Sequence, residues 1–220
     1  MINIAIDGPG GAGKSTLSRK AAITLGYLYI DTGALYRAVG LAAERAGIAI
    51  DEREKIAALA ETTEVTLKIE ADGQHVFLNG EDVTALIRTE SISRYASAVS
   101  AVPEIRALLL QTQRRLAAEN NVIMDGRDIG TVVLPDAQIK IFLTASPEAR
   151  ARRRYDELIA RGENAVYETV LADIIERDHR DSTRAIAPLR QSEDAILLDT
   201  TEIDFEQSFA LLLNTIRERI

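Results

Sequence analysis

The stretch Gly8-Pro9-Gly10-Gly11-Ala12-Gly13-Lys14-Ser15 decides the fold of this 220-residue chain. It fits the pattern G-x-x-x-x-G-K-[ST]. It stands between an apolar run at 2–6, which is typical of a buried strand, and a segment with helical periodicity. That context makes the match specific, because glycines alone would also suit a tight turn. The stretch therefore predicts a phosphate-binding loop (P-loop) that opens a helix.

The chemistry of such a loop explains its residue types. Consecutive backbone N–H groups of the glycine-rich turn surround a phosphate, and the N-terminus of the following helix adds partial positive charge. Lys14 can reach the β- and γ-phosphates, and the Ser15 hydroxyl can bind Mg²⁺. We expect the ATP-binding residues to be Gly8, Gly10, Gly11, Ala12, Gly13, Lys14, Ser15 and Thr16.

P-loops occur in GTPases, in ATPases and in small-molecule kinases, so the loop alone leaves the class of protein open. An Asn-Lys-x-Asp sequence, which reads guanine, is absent from the chain, and this weighs against a GTPase. Asp125 follows the apolar run 122–124 and is placed to hold Mg²⁺ through a water molecule. An aspartate at the end of a strand is also common for conformational reasons alone.

Short apolar, β-branched runs recur along the chain and are typical of buried strands. They lie at 2–6, 28–30, 122–124, 139–143 and 195–198. Helical segments separate them, and this alternation predicts an α/β protein: a three-layer P-loop fold with a five-stranded parallel sheet. Acidic residues follow these runs, at the edge where open α/β sheets bind ligands.

Two regions depart from this alternation. Residues 64–102 begin with period-2 apolar positions and the turn dipeptides Asp72-Gly73 and Asn79-Gly80, which predict a small antiparallel sheet. An arginine-rich helix starts after the N-cap Ser146, and a second helix follows at about 165–184. We therefore predict a core domain, an antiparallel β insert and a helical arginine-rich lid. Their bounds are 1–62, 103–146 and 185–220 for the core, 63–102 for the insert and 147–184 for the lid.

Composition excludes several classes of protein. The chain has no cysteine, so a disulfide scaffold, a thiolate zinc site and a cysteine nucleophile are impossible. The net charge is −8, which argues against a nucleic-acid polymer as partner. Only five of the 26 basic residues are lysine, and the arginine excess suits bidentate recognition of a small anionic substrate.

We expect neither a signal peptide nor a membrane-spanning segment, because residues 1–8 lack a basic and long apolar stretch and no run of about 18 apolar residues occurs. We therefore expect a cytoplasmic protein with no membrane partner. We also expect it to be a monomer.

Three further segments are candidates for a second substrate site. Thr32 to Arg37 and Gly126 to Asp128 follow predicted strands, and they offer a hydroxyl, glycine amides and charged groups at the sheet edge. Arg177, Asp181 and Arg184 share one helix face, where they form either a binding site or a salt-bridge ladder. The arginines at 150–154 are either a solvated face or part of a mobile lid.

The motifs GPGGAGKST, DTGALYR, DGRDIGTVV and ERD-RD-TRA-APL, with the inserted sheet, resemble the bacterial cytidylate kinases over nearly the whole chain. The resemblance implies Mg²⁺-dependent transfer of the ATP γ-phosphoryl group to CMP or dCMP. It also implies that the insert binds the nucleoside monophosphate and that the lid is mobile.

The resemblance also implies roles for single residues. Phosphate contacts would come from Thr32, Arg37, Arg127 and Arg184. Cytosine would be read by Ser97, Arg106 and Asp128, and the ribose by Arg177 and Asp181. A carboxylate suits cytosine, because it accepts from the exocyclic amine and repels the carbonyl of uracil. The groups expected to act in catalysis are Lys14, Arg127, Arg150 and Arg154.

Two other functions remain open on the residues. One is a P-loop kinase for another small acceptor, such as UMP or a metabolite, and the insert weighs against it. The other is a regulatory module that binds ATP without transferring phosphate. A test for ADP formation that depends on a single acceptor would distinguish these hypotheses.

Overall fold

The main sheet has five parallel strands in the order β2-β6-β1-β7-β8. The strands are β1 (Asn3–Asp7), β2 (Leu28–Asp31), β6 (Val122–Gly126), β7 (Ile139–Thr144) and β8 (Ile196–Asp199). Each lies within two residues of its predicted run. The strands of a parallel sheet are buried on both faces, so they are near-continuous apolar runs that are easy to recognise in a sequence. The predicted α/β fold with a five-stranded parallel sheet is confirmed.

The structure is a computed structural model that describes residues 1–70 and 73–220. The chain forms two compact units. The first consists of Met1 and Ile30–Asn120, and the second of Ile2–Tyr29 and Asn121–Ile220. These units are defined by the contacts within each of them. The division into core, insert and lid that the sequence indicates stays a prediction.

Eight α-helices lie in the described residues. They are α1 (Lys14–Leu25), α2 (Thr32–Arg45), α3 (Arg53–Ala58), α4 (Glu90–Val99), α5 (Pro103–Glu119), α6 (Pro147–Ala160), α7 (Tyr167–Thr183) and α8 (Phe205–Arg217). Helix α6 begins as predicted, because the Ser146 hydroxyl accepts a hydrogen bond from the Ala149 amide at 3.2 Å. Helix α7 ends at Thr183, close to the predicted end.

In the second unit, β1 lies between β6 and β7. Its register runs from Asn3 opposite Val122 to Asp7 opposite Gly126. A core of aliphatic side chains, including Ile4, Ile6 and Leu17, surrounds these strands. The carboxyl ends of β1 and β6 therefore lie side by side, and the loops that follow them share one edge of the sheet.

The first unit contains the small antiparallel sheet. Its strands are β3 (Val65–Glu70), β4 (Gly73–Leu78) and β5 (Glu81–Asp82), in that order. The predicted antiparallel sheet is thus confirmed, and the Asn79-Gly80 dipeptide connects β4 to β5, with Asn79 and Gly80 at positive φ. Asp72 of the other predicted turn lies outside the described residues. An aliphatic core that spans residues 34–109 joins this sheet to α2, α4 and α5.

Over residues 1–70 and 73–220, none of the helices has the length and apolar character that a membrane crossing requires.

Candidate active site

The loop at 8–13 has the backbone conformation that only glycine adopts readily. Gly8, Gly11 and Gly13 all have positive φ, and Gly13 is the N-cap residue of α1. A Cβ on Gly8 would lie 1.9 Å from the Leu143 carbonyl oxygen, because the loop leaves β1 directly against β7. The loop therefore leads into the N-terminus of α1 as predicted, with its amides available at a helix start.

Ser15 and Asp125 lie together beside this loop. The Ser15 hydroxyl donates to Asp125 Oδ2 at 2.8 Å, and the Tyr29 hydroxyl donates to Asp125 Oδ1 at 2.9 Å. Asp125 is buried at the end of β6. A hydroxyl and a carboxylate supply oxygen ligands of the kind that Mg²⁺ prefers. The remaining ligands of a protein-bound Mg²⁺ are commonly water and phosphate oxygens. These two side chains therefore fit a magnesium ion bound beside a phosphate.

Lys14 is buried in the loop, where its Nζ donates to the Pro9 carbonyl oxygen at 2.8 Å. Burial and, to a lesser extent, the positive charge of Arg127 lower the pKa of Lys14 to about 7, against the opposing charges of Asp125 and Asp7. A phosphate bound in the loop would supply a negative charge and favour the protonated form.

Two arginines lie against the loop from outside it. A Cβ on Gly10 would be 3.3 Å from Arg127 Nη2 and 3.6 Å from Arg177 Cδ. Asp181 is buried beside both: its Oδ2 is 2.8 Å from Arg127 Nε and 4.0 Å from Arg177 Nε. Burial raises the pKa of Asp181, but the charges of Arg127, Arg177 and Arg184 outweigh burial and hold this pKa below its usual value.

Arg184 and Asp128 form a second buried ion pair in the same unit, with Arg184 Nη2 3.3 Å from Asp128 Oδ1. The structure thus brings together all five residues of this unit that are predicted to bind CMP. These are Arg127, Asp128, Arg177, Asp181 and Arg184. A salt-bridge ladder along α7 accounts for only part of the contacts, since Arg127 and Asp128 come from the loop after β6.

Asp7 holds the loop that carries Asp128. Its Oδ1 accepts from the Ile129 amide and its Oδ2 from the Gly130 amide, both at 2.7 Å. These amides belong to a short turn of wide, π-type helix at Ile129–Val133. A Cβ on Gly130 would meet Lys140 at 3.2 Å and Asp7 at 3.4 Å, so glycine fits closely here. Burial raises the pKa of Asp7 from 3.8 to about 6. The charge of Asp128 adds to this rise, whereas the two amides and Lys14 oppose it.

The pH dependence of stability should reveal this carboxyl group. The pKa of Asp7 is raised in the folded state. Its contribution to the free energy of unfolding is therefore greatest below pH 3.8 and is lost as the pH rises through 6. Asp7→Asn removes the titration and adds a pH-independent cost. The wild-type advantage over Asp7→Asn in free energy of unfolding should therefore fall by about 2 kcal/mol between pH 4 and pH 7. Urea unfolding of both proteins across this range measures it, and a constant difference would contradict the assignment.

Arg150 is buried, and its guanidinium makes four hydrogen bonds. Its Nη1 donates to the Gly10 carbonyl oxygen at 2.9 Å, and its Nε donates to the Ala145 carbonyl oxygen at 2.8 Å. Its guanidinium also forms a two-point ion pair with Asp178 of α7, at 3.0 and 2.5 Å. Arg154 lies on the same helix, 3.4 Å from Glu157 Oε2. The catalytic roles of Arg150 and Arg154 stay predictions, but Arg150 also joins α6, α7 and the P-loop.

Asp178→Asn should be markedly destabilising, because it leaves the buried guanidinium of Arg150 without a counter-charge. We expect a loss of about 3 kcal/mol in the free energy of unfolding. Asp173→Asn, at an exposed position of the same helix, is the matched control and should change stability by less than about 0.5 kcal/mol. Equal thermal melting of both variants and the wild type would rule out this role of the ion pair.

The other predicted site residues lie in the first unit. Thr32 is buried at the start of α2, and Arg37 Nη2 lies 3.5 Å from Oδ2 of Asp31, the N-cap residue of this helix. Arg106 is buried in α5, where its Nη1 donates to the Ser100 carbonyl oxygen at 3.3 Å and its guanidinium lies over the Tyr36 ring. Ser97 is half-buried in α4.

The sequence does not mark Asp7 or Asp178 as residues that shape the site. Asp7 is one of several acidic residues that follow apolar runs, and its amide partners lie more than 120 positions further along the chain. Asp178 follows Arg177 directly, and nothing in the sequence distinguishes it among the charges of α7.

The chain is similar to known proteins over its full length. Residues 4–218 match a family model described as "Cytidylate kinase". A protein named cytidylate kinase from Geobacter sp. (strain M21) is 49% identical over 219 residues, which covers 100% of this chain and 94% of that protein. Another of that name, from Caldicellulosiruptor saccharolyticus, is 53% identical over 206 residues, covering 94% and 91%. The crystal structure of an uncharacterized protein from Eubacterium ventriosum superposes with a TM-score of 0.54 at 14% identity, with both chains fully covered. That similarity shows a shared fold alone.

Proposed function

Because this chain belongs to the cytidylate kinase family, we propose that it transfers the γ-phosphoryl group of ATP to CMP or dCMP, with ADP and CDP or dCDP as products. One observation carries this proposal beyond the family name. Arg127 and Arg177 lie against Gly10 of the P-loop, with the buried Asp181 between them. Phosphoryl transfer requires positive charge and donor groups at the point where two phosphates meet, and this cluster supplies both.

ATP binds in this proposal through the P-loop. The loop amides and the N-terminus of α1 hold the phosphates, while Lys14 bonds the β- and γ-phosphate oxygens. Ser15, and Asp125 through water, would hold Mg²⁺. When bound, the ion neutralises charge on the phosphate oxygens. The residues proposed to contact ATP are those predicted from the sequence: Gly8, Gly10, Gly11, Ala12, Gly13, Lys14, Ser15 and Thr16.

CMP binds in this proposal through the residues predicted from the sequence. In the second unit, Arg127 and Arg184 contact its phosphate, Asp128 its cytosine, and Arg177 and Asp181 its ribose. The buried ion pairs support these assignments, because a guanidinium held by a carboxylate keeps its remaining N–H groups oriented for a ligand. The same proposal assigns Thr32 and Arg37 to the phosphate and Ser97 and Arg106 to cytosine.

Catalysis then depends on alignment and positive charge rather than on a strong base, because the transition state of phosphoryl transfer is loose. Lys14 and Arg127 are the catalytic groups nearest the P-loop in this proposal, and Arg150 and Arg154 of α6 add charge. The Gly10 carbonyl oxygen and Asp178 hold Arg150. Four of the five N–H groups of Arg150 donate to Asp178 and to the Gly10 and Ala145 carbonyl oxygens, so a phosphoryl oxygen can accept from the fifth or replace one of these acceptors.

The predicted parts fit this function as follows. Residues 1–62, 103–146 and 185–220 form the core, 63–102 the monophosphate-binding insert and 147–184 a lid that excludes water during transfer. We further propose a cytoplasmic monomer that acts without a membrane or a nucleic-acid polymer. Light scattering on the purified protein tests the monomer, and hydrogen exchange of 147–184 with and without ATP and CMP tests the lid.

An acceptor panel tests the activity. The protein is incubated with ATP and Mg²⁺ alone and with CMP, dCMP, UMP or AMP, and ADP formation is followed. We expect rapid ADP formation with CMP and dCMP and little without an acceptor. Equal ADP formation with and without acceptor would favour an ATPase, preference for another acceptor would favour a different kinase, and no ADP with any acceptor would favour a regulatory module.

A further inference from the structure

The side-chain amide of Gln74 makes a two-point contact with the backbone of Asp31. Gln74 Oε1 accepts from the Asp31 amide at 2.9 Å, and Gln74 Nε2 donates to the Asp31 carbonyl oxygen at 3.3 Å. Gln74 lies on β4 of the small sheet, and both residues belong to the first unit. Because both hydrogen-bonding groups of one residue are held, the contact fixes the orientation of Asp31 as well as its position.

The position of Asp31 explains why such a contact is needed. It is the last residue of β2, which is an edge strand of the main sheet. In a strand, the N–H and C=O groups of one residue point to the same side, and a neighbouring strand normally pairs with both. An edge strand lacks that neighbour on one side, and unpaired backbone groups there are costly when they are sheltered from water. The Gln74 amide serves Asp31 as a neighbouring strand would.

Asp31 in turn sets the start of α2. Its Oδ1 accepts from the Ala34 amide at 3.0 Å, which caps the helix, and its Oδ2 lies 3.5 Å from Arg37 Nη2. The space is tight: a Cβ on Gly33 would be 3.1 Å from Asp31 Oδ1 and 3.5 Å from Arg37 Nη2. A change in the orientation of Asp31 is therefore passed on to the Arg37 guanidinium.

We propose that Gln74 is a positioning residue for the acceptor phosphate. It holds Asp31 so that Thr32 and Arg37 present a hydroxyl and a guanidinium in fixed places to the phosphate of CMP. The inference rests on the proposed function, since it concerns CMP binding by that same site. It also gives the small sheet a specific task, because β4 supports the segment that binds the acceptor.

Two substitutions of Gln74 test this role. Gln74→Leu removes both hydrogen bonds and keeps a similar volume, and Gln74→Asn keeps the amide but is one methylene too short to reach. For both variants we expect the KM for CMP to rise about tenfold, the equivalent of one or two lost hydrogen bonds, with the KM for ATP changed by less than about twofold. Steady-state kinetics with each substrate varied in turn measures this split.

Thr84→Val is the matched control. The Thr84 hydroxyl accepts from the Val76 amide at 2.9 Å, so the variant also removes a side-chain bond from the small sheet, but one that does not involve Asp31. We expect its KM for CMP to equal that of the wild type. An equal rise in Thr84→Val and Gln74→Leu would mean that sheet integrity alone matters, and it would overturn the proposal.

Amide hydrogen exchange provides a readout that does not depend on activity. In Gln74→Leu, peptides that cover residues 31–37 should exchange faster than in the wild type, whereas in Thr84→Val they should not. An unchanged KM for CMP in Gln74→Leu, in an enzyme whose wild type phosphorylates CMP, would overturn the inference alone. A wild type that does not phosphorylate CMP would overturn the proposed function and the CMP role with it, and the exchange data would still decide whether Gln74 holds Asp31.

Discussion

Lys14→Ala should lower the turnover number for CMP phosphorylation by at least about 10³-fold. Lys14 is the buried cation of the P-loop, where its Nζ donates to the Pro9 carbonyl oxygen. In the proposed mechanism its charge stabilises the oxygens between the β- and γ-phosphates as the bond breaks. No other lysine lies within the stretch that forms the loop, so alanine leaves this charge unreplaced.

The variant should nevertheless fold. Burial and Arg127 both disfavour the charged form of Lys14, and they lower its pKa to about 7, so removal of the amine relieves an unfavourable charge. Thermal unfolding should therefore differ little from that of the wild type. Lys20→Ala is the control, because Lys20 lies on the same helix but pairs with Glu206. A Lys14→Ala enzyme with near-normal turnover would refute the assigned role.

Asp128→Asn should abolish most of the preference for CMP over UMP. In the proposal, the Asp128 carboxylate accepts from the exocyclic amine of cytosine and repels the carbonyl that uracil has in its place. A site that pairs one buried polar group with its substrate can discriminate by 10⁴-fold or more, and we expect the ratio of kcat/KM for CMP to that for UMP to fall by about 10²-fold or more. The asparagine side-chain amide can donate a hydrogen bond as well as accept one. We therefore expect kcat/KM to rise for UMP and to fall for CMP.

Steady-state kinetics with the two acceptors measures that ratio. Asp136→Asn is the control, since Asp136 is an exposed carboxylate of the same loop region. Asp128 also pairs with Arg184 at 3.3 Å, so a loss of CMP activity could come from a displaced arginine. The ratio separates the two causes, because a displaced arginine would weaken CMP and UMP equally. An unchanged ratio would remove Asp128 from base recognition.

The sequence predicts the helices and strands of this fold better than the side-chain contacts that connect them. The strands of the main sheet are recognisable because a buried parallel strand is a short apolar run, and the P-loop because its spacing is imposed by phosphate geometry. Both signals are local. The small sheet is likewise indicated by its period-2 pattern and the Asn79-Gly80 turn.

The links that shape the site depend on pairs of residues that are distant in sequence. Asp7 meets the amides of Ile129 and Gly130, and nothing local marks these as partners. Arg150 illustrates the same limit, because a run of arginines on a helix does not tell which one is buried against Asp178 and which are exposed. Side-chain direction on a helix depends on what packs against it, and that is a property of the tertiary structure.

The strand order has a consequence for synthesis of the protein. Strand β1 leaves the ribosome first, yet it lies between β6 and β7, which begin at Val122 and Ile139. At roughly 5–20 residues per second, translation needs about 6 to 24 s to deliver the first of these partners. Residues 34–109, which form the apolar core of the first unit, have all emerged by then. Until then β1 has neither of its strand partners, so the main sheet can assemble only after the apolar core residues of the first unit have left the ribosome.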